Sequence, residues 1–283
     1  MTKAQACSVL CEWPAADDIK TINCYDPISE IFDEVMGIDF VNATYPFKRD
    51  TIQQHLGRAP RKWLDLGCGS GLFVQRVASD GVHAVGIDAS PGLLSRARKR
   101  VRDLAVTVDL IEGDMLSTEF PGQYDVVTMN FDVLNQVHSL QNRSHCREHW
   151  ARIFGKVFAA LGSGGVLHFD INTVRRLEHD WATPEVISKR DLLYLHFGLP
   201  LERSGTSVYR KTPMLIFKRK ARGSECFRRF STVVEHFAIP NEEVCEMLVS
   251  VGFLAPTVRE AADIANTAHV FLRNREFFTA RRP

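Results

Sequence analysis

Trp63-Leu64-Asp65-Leu66-Gly67-Cys68-Gly69-Ser70-Gly71 runs an apolar strand directly into three alternating glycines. Trp63, Leu64 and Leu66 suit a strand buried on both faces, as in a parallel sheet covered by helices. The glycines let the chain turn tightly and press its backbone against a ligand that a side chain would block. A helix starting after them would aim its free amide donors at that ligand. The dinucleotide fingerprint needs a further glycine where Leu72 stands, so a phosphate-free nucleoside is a better guest than a pyrophosphate.

Working outward, strand and helix alternate. The first strand, Lys62 to Leu66, leads to a helix from Ser70 to Ser79, and His83 to Asp88 reads as the second strand. Ser90 caps a helix with Pro91 at its first position and Leu93, Ala97 and Val101 on one face. Val106 to Glu112 and Tyr124 to Asn130 are strands three and four, and a strong apolar period predicts a helix over Ser144 to Leu161. Val166 to Ile171 is strand five, followed by a helical Thr173 to Trp181. Such alternation requires a parallel sheet with helices on both faces.

Two segments break the rhythm. Ile28, Ile31, Phe32 and Val35 recur at helical spacing and a second helix covers Ala43 to Leu56, so residues 1–57 form an N-terminal helical cap, with no clear period in residues 1–23. Residues 182–238 read as a β-rich insertion, with strands over Leu192 to Phe197, Ser207 to Lys220 and Cys226 to Phe237. Residues 58–181 and 239–283 make the core. It closes with a helix after Pro240 and strands over Pro256 to Arg259 and His269 to Arg273.

Composition narrows the function. Lys and Arg number 35 against 34 Asp and Glu, a formal charge of +1, so no global field favours a long polyanion and nucleic acid is a disfavoured partner. Nowhere do about eighteen apolar residues run together, as a membrane span would need. Seven cysteines without a repeating spacing suit reduced thiols in the cytoplasm. Cys7 and Cys11 have the spacing of an iron-sulfur cradle, but Pro14 stands where a third ligand would follow, and no metal is expected. The basic run Lys218, Arg219, Lys220, Arg222, Arg228 and Arg229 reads as a solvated face, with recruitment of an acidic substrate as its functional alternative.

Asp88 ends the second strand, where a carboxylate can accept both hydroxyls of a ribose, and Asp114 ends the third, where it can meet an adenine amine. With these residues on the page, the chain resembles the class I S-adenosylmethionine-dependent methyltransferases. Asp65-Leu-Gly-Cys-Gly-Ser-Gly71 resembles the first motif of that family, Gly86-Ile-Asp88-Ala-Ser90 the ribose motif and Glu112-Gly-Asp114-Met115 the adenine motif. Asp125-Val-Val-Thr-Met-Asn130 is similar to the fourth motif, and Leu161-Gly-Ser-Gly-Gly165-Val-Leu167 to the turn before strand five. Phe131-Asp-Val-Leu-Asn-Gln136 and Phe169-Asp-Ile-Asn-Thr173 resemble a bacterial small-molecule, natural-product subgroup with an insertion at this place.

The resemblance implies an α/β fold: a Rossmann-like, seven-stranded, mostly parallel sheet whose last strand is antiparallel. It also implies S-adenosyl-L-methionine as cofactor, with S-adenosyl-L-homocysteine as product. The cofactor contacts it assigns are Tyr25, Asp65, Gly67, Cys68, Gly69, Gly71, Asp88, Ala89, Asp114, Met115, Asn130 and Phe131. Methyl transfer goes to an N, O or C nucleophile of a small molecule, with cap and insertion enclosing the acceptor; a homodimer is compatible with this reading. An acceptor that must be deprotonated needs a base, and His138 is the first candidate, followed by Asp170 and Asn172. His138 has a satisfied loop histidine as its plainer reading, and Asp170 and Asn172 have helix capping. Asn130 is followed by Phe131-Asp132 rather than the Pro-Pro-Tyr of base-methylating enzymes. RNA or protein methylation, a non-catalytic cofactor-binding regulator and a nicotinamide-dependent dehydrogenase are the competing readings.

Overall fold

The computed structural model describes residues 24–137, 145–189, 191–222, 224–264 and 272–283. Strands β1 (Lys62–Leu66), β2 (His83–Asp88), β3 (Val108–Glu112), β4 (Tyr124–Met129) and β5 (Leu161–Asn172) are joined by β11 (Thr257–Glu260) and β12 (Arg275–Arg281). They form one seven-stranded sheet in the order β11-β12-β5-β4-β1-β2-β3, with β1 to β5 parallel where they pair and β12 antiparallel to β5. This is the Rossmann-like sheet that the resemblance implies. The chain reverses its lateral direction beside β1, and the crevice that such a reversal opens at the strand ends is where α/β sheets bind ligands.

Helices α1 (Ile38–Leu56), α2 (Leu72–Ser79), α3 (Pro91–Val101), α4 (Cys146–Ala160), α5 (Val174–Glu178) and α6 (Asn241–Val251) cover the sheet. Their starts and stops follow local chemistry. The Ser90 hydroxyl accepts the Leu93 amide at 3.1 Å to cap α3, and Gly57 ends α1 at φ +72°. Trp150, Ile153, Phe154 and Val157 of α4 are fully buried against the sheet.

Four elements differ from the sequence reading. The two expected cap helices are nearly continuous: a short 3-10 turn at Asp26–Ile28 and a π-helical stretch at Asp33–Gly37 run directly into α1. The expected helix Thr173 to Trp181 is α5 followed by a 3-10 turn at Asp180–Ala182, with Thr173 as the capping residue. β5 begins at Leu161, at the end of α4. A closing strand forms at Arg275–Arg281, where apolar Phe277, Phe278 and Ala280 are buried as it pairs with β5; of the strand expected at His269 to Arg273, residues 269–271 lie outside the described residues and Leu272 and Arg273 are not in a strand.

Between β5 and α6 a second, antiparallel sheet forms. β6 (Glu185–Lys189), β7 (Leu192–His196), β9 (Ser207–Arg219) and β10 (Phe227–Ala238) lie in the order β10-β9-β7-β6, and β8 (Glu202–Ser204) pairs with β9. Its apolar face, including Tyr194, Met214, Ile216 and Val234, joins the cluster that also buries Ile28, Ile31 and Val35 of the cap. The basic run reaches the same partner. Lys218 pairs with Glu34 and Arg228 with Glu30 at 2.7 Å, so two of its six cations hold the cap, and Lys189 of β6 adds a pair with Asp39 at 2.6 Å.

Candidate cofactor and active site

A cavity of about 590 Å³ opens where β1, β2, β3 and β4 end. Ligand pockets span roughly 300–1,000 Å³. Tyr25, Asp65, Gly67, Cys68, Gly69, Asp88, Ala89, Asp114, Met115, Asn130 and Phe131 all line it. Gly71 does not. A side chain there would lie 2.9 Å from the Ala97 β-carbon, so Gly71 allows α3 to pack closely and faces away from the cavity. Gly67, at φ +72°, serves both needs: it lines the cavity, and a β-carbon on it would stand 2.3 Å from Val133 in the segment after β4.

The carboxylates at the ends of the second and third strands are held by backbone amides. Asp88 accepts the Gly69 amide at 2.7 Å and the Ser90 amide at 2.8 Å, yet burial pushes its carboxyl above the usual range despite those donors. Asp114 accepts the Leu116 amide at 2.6 Å. Asp65 is the most buried of the three, and its Oδ1 receives the Thr128 hydroxyl and the Asn130 side-chain amide, each at 2.7 Å. Burial raises the Asp65 carboxyl to about 7, against the lowering by these donors and by the charge of Lys48. The glycine turn, amide-held carboxylates at the second and third strand ends, and a buried carboxylate at the first match the hydroxyls, amine and ammonium of a sulfonium nucleoside. The residues present fit S-adenosylmethionine.

The opposite wall is aromatic. Phe32 and Phe40 of the cap stand edge-on to Phe131, with ring centres 6.2 and 4.4 Å apart, and Tyr25 packs on Phe32 at 5.3 Å. The Tyr25 hydroxyl accepts the Gln136 side-chain amide at 2.8 Å, and burial pushes its pKa well up. Cys24 lies beside it with its thiol pushed up to about 12, mainly by burial. No described residue of 182–238 lines this cavity; the second sheet stands behind its walls, packing on the cap and reaching the segment after β4 through His236 at Asp132.

The expected bases are placed differently. His138 lies outside the described residues. Asp170 is completely buried and off the cavity wall. It accepts the backbone amides of Phe131 and Asp132, each at 3.0 Å, binds Lys48 at 2.5 Å and pairs with Arg275. Burial would raise its pKa, but the charges of Lys48 and Arg275 outweigh this and hold it low, so it is an occupied structural anion. Asn172 is also interior: its backbone amide donates to Asn135 Oδ1 and its carbonyl accepts from Asn135 Nδ2, both at 2.9 Å. A general-base role for either finds no support in this placement.

Sequence reasoning missed Lys48, Arg275 and Asp132. Arg275 pairs with Asp132 at 2.8 Å, and His236 of β10 reaches the same carboxylate at 3.2 Å. Lys48 and Arg275 lie in stretches where a cation normally reads as a solvated residue, so periodicity carried no signal for them. His149, on the first turn of α4, also lines the cavity, with its Nδ1 buried and unpartnered among the described residues. No helix of the described residues is long and apolar enough to cross a membrane.

Comparison with known proteins agrees with this geometry. Residues 64–165 match a family model described as a methyltransferase domain. The chain is 24% identical over 260 residues to a protein of Geobacillus sp. (strain WCH70) provisionally named a methyltransferase, covering 91% of this chain and 99% of that one. Its fold is similar to an S-adenosylmethionine-dependent methyltransferase from Clostridium acetobutylicum, with TM-score 0.70 and 20% identity over 92% of this chain and 99% of that one. It is also similar to an amino pentose methyltransferase from Micromonospora echinaspora involved in calicheamicin biosynthesis, with TM-score 0.64 and 20% identity over 86% and 91% of the two chains.

Proposed function

We propose that this chain is a class I S-adenosylmethionine-dependent methyltransferase that methylates an N, O or C nucleophile of a small molecule, of natural-product or secondary-metabolite type, a reading supported by its methyltransferase-domain match and by the fold it shares with such enzymes. One observation carries the reading: the cofactor cradle and the aromatic wall of Tyr25, Phe32, Phe40 and Phe131 line a single cavity beneath the cap. An acceptor that reaches the cradle by way of that wall must be small enough to fit under it.

S-adenosylmethionine supplies a methyl group already activated by its sulfonium. What remains for the protein is alignment and exclusion of water. Gly67, Gly69, Asp65, Asp88, Asp114 and Met115 would hold the cofactor, and Phe131 would set the distance to the acceptor. Residues 182–238 act on the acceptor side by bracing the cap. An amine acceptor reacts in its neutral form, whereas a hydroxyl or carbon acid also needs a base. The likeness to the amino pentose enzyme makes amino sugars the first acceptors to try.

RNA or protein methylation draws less support, because Lys189, Lys218 and Arg228 are paired with acids of the cap. The deciding experiment uses methyl-labelled cofactor with panels of amino sugars, phenols and hydroxylated scaffolds beside transfer RNA and cell protein. Label in a small molecule supports the proposal. Label confined to RNA or protein, or cofactor binding without transfer to any panel, overturns it.

A further inference from the structure

Two chains of donors converge on one oxygen of Asp65. In the first, the Trp63 indole N–H, which can only donate, gives its proton to the Thr128 hydroxyl at 2.9 Å, so that hydroxyl donates onward to Asp65 Oδ1 at 2.7 Å. In the second, the Lys48 ammonium donates to the carbonyl oxygen of Asn130 at 2.6 Å. An amide whose oxygen is taken by a cation can turn only its NH2 group to the carboxylate, and Asn130 Nδ2 does so at 2.7 Å. Lys48 has no exposure, is fixed from behind by Asp170 at 2.5 Å, and lies over the faces of Phe40, Phe73 and Phe277 at 5.2 to 5.8 Å. It does not line the cavity. It acts through Asn130.

Resting on the methyltransferase reading, we propose that Lys48 is a positioning residue for cofactor binding. By fixing the Asn130 amide and lending its charge, it keeps the Asp65 carboxylate ionised to receive the ammonium group of the cofactor's methionine end. The charged groups around Asp65 are Lys48 from α1 and Asp88 from β2, and they act in opposite directions. Asp170 and Arg275 stand behind Lys48, from β5 and β12. The carboxyl of Asp65 sits at about 7 even with both donor chains in place, so a modest loss of support would leave it neutral at physiological pH.

The test compares two ligands by calorimetry between pH 6 and 8: S-adenosylhomocysteine, which carries the ammonium group, and 5′-methylthioadenosine, which lacks it. In the native protein, affinity for the first should fall as pH drops through the Asp65 midpoint, while the second stays flat. In Lys48→Gln that midpoint moves up. A rise of one unit weakens S-adenosylhomocysteine about tenfold at pH 6 and about twofold at pH 8. Methylthioadenosine should stay within about twofold of the native value, since it makes no use of the carboxylate's charge. Asn130→Leu, with Lys48 and Asp170 left in place, must reproduce the shift and serves if Lys48→Gln does not fold. Equal weakening of both ligands at every pH would make Lys48 merely structural and overturn the proposal. If the native protein bound neither ligand, the cofactor assignment itself would fail, a separate result.

Discussion

The Asp170 carboxylate accepts the backbone amide of Phe131 at 3.0 Å, and Phe131 holds a left-handed backbone at φ +60°. The next amide, of Asp132 at φ +53°, is held by the other carboxylate oxygen. A non-glycine residue in that region is strained and persists only where its surroundings hold it there. A fully buried carboxylate, itself clamped by Lys48 and Arg275, turns the chain after β4 so that the Phe131 ring enters the cavity.

Asp170→Asn should therefore cost stability before it costs chemistry. It leaves buried Lys48 without its carboxylate and Arg275 with Asp132 alone, and breaking such a cluster typically costs about 3–5 kcal/mol. Urea unfolding should show the loss, together with weaker S-adenosylhomocysteine binding. Native stability combined with lost turnover would return Asp170 to the role of base.

Gly67→Ala should damage both fold and site. The added methyl meets Val133 at 2.3 Å, and the φ of +72° costs an L-residue about 1–2 kcal/mol on top of about 1–3 kcal/mol for overpacking. Adding Val133→Ala should recover the steric part and leave the backbone part. Thermal melting of the single and double variants separates them, and a harmless single variant would contradict the close approach of β1 and the segment after β4.

Asp88→Ala tests the ribose assignment. Removing a carboxylate that accepts hydroxyl hydrogen bonds should weaken S-adenosylhomocysteine by about 1.5–3 kcal/mol. Calorimetry with unchanged affinity would take Asp88 out of the site.

His168 predicts a pH dependence of stability. Burial, aided by the charge of Lys48, holds its pKa at about 3 in the folded chain, with Nδ1 against the Thr279 hydroxyl at 2.9 Å. Unfolded, it titrates near ~6.5, so between those values the unfolded chain binds a proton that the folded chain does not. Stability is then fully present above pH ~6.5 and falls by up to ~1.4 kcal/mol per unit as pH drops. From pH 7 to 5 this amounts to about 2 kcal/mol, and His168→Phe should abolish that part of the slope. Denaturant titrations at the two pH values decide it; equal slopes in both proteins would show that His168 is protonated in the fold.

The alternating strands and helices, the glycine turn and the carboxylates at strand ends were legible because each is a local signal. A strand buried on both faces must be apolar, a tight turn against a ligand needs glycine, and Asp65, Asp88 and Asp114 close the motifs at their strand ends. The strand at Arg275–Arg281 was not legible, since charged Arg275, Glu276 and Arg281 flank its apolar residues and it is the pairing with β5 that defines it.

What only the tertiary structure decided is the environment of each charge. Lys48 and Asp170 are 122 positions apart, Asp170 and Arg275 are 105, and Asp132 and Arg275 are 143. Nothing in the neighbourhood of any one of them announces the others. Whether a carboxylate is a base at a cavity wall or a buried anchor depends on which elements pack over it, because desolvation and the nearest opposite charge set its ionisation. The stretch from Trp63 to Gly71 determined the strand and glycine turn that line the cavity. The packing of α1, β5 and β12 around Asp170 buried it between Lys48 and Arg275, off the cavity wall, which favours a supporting role over the catalytic one expected of it.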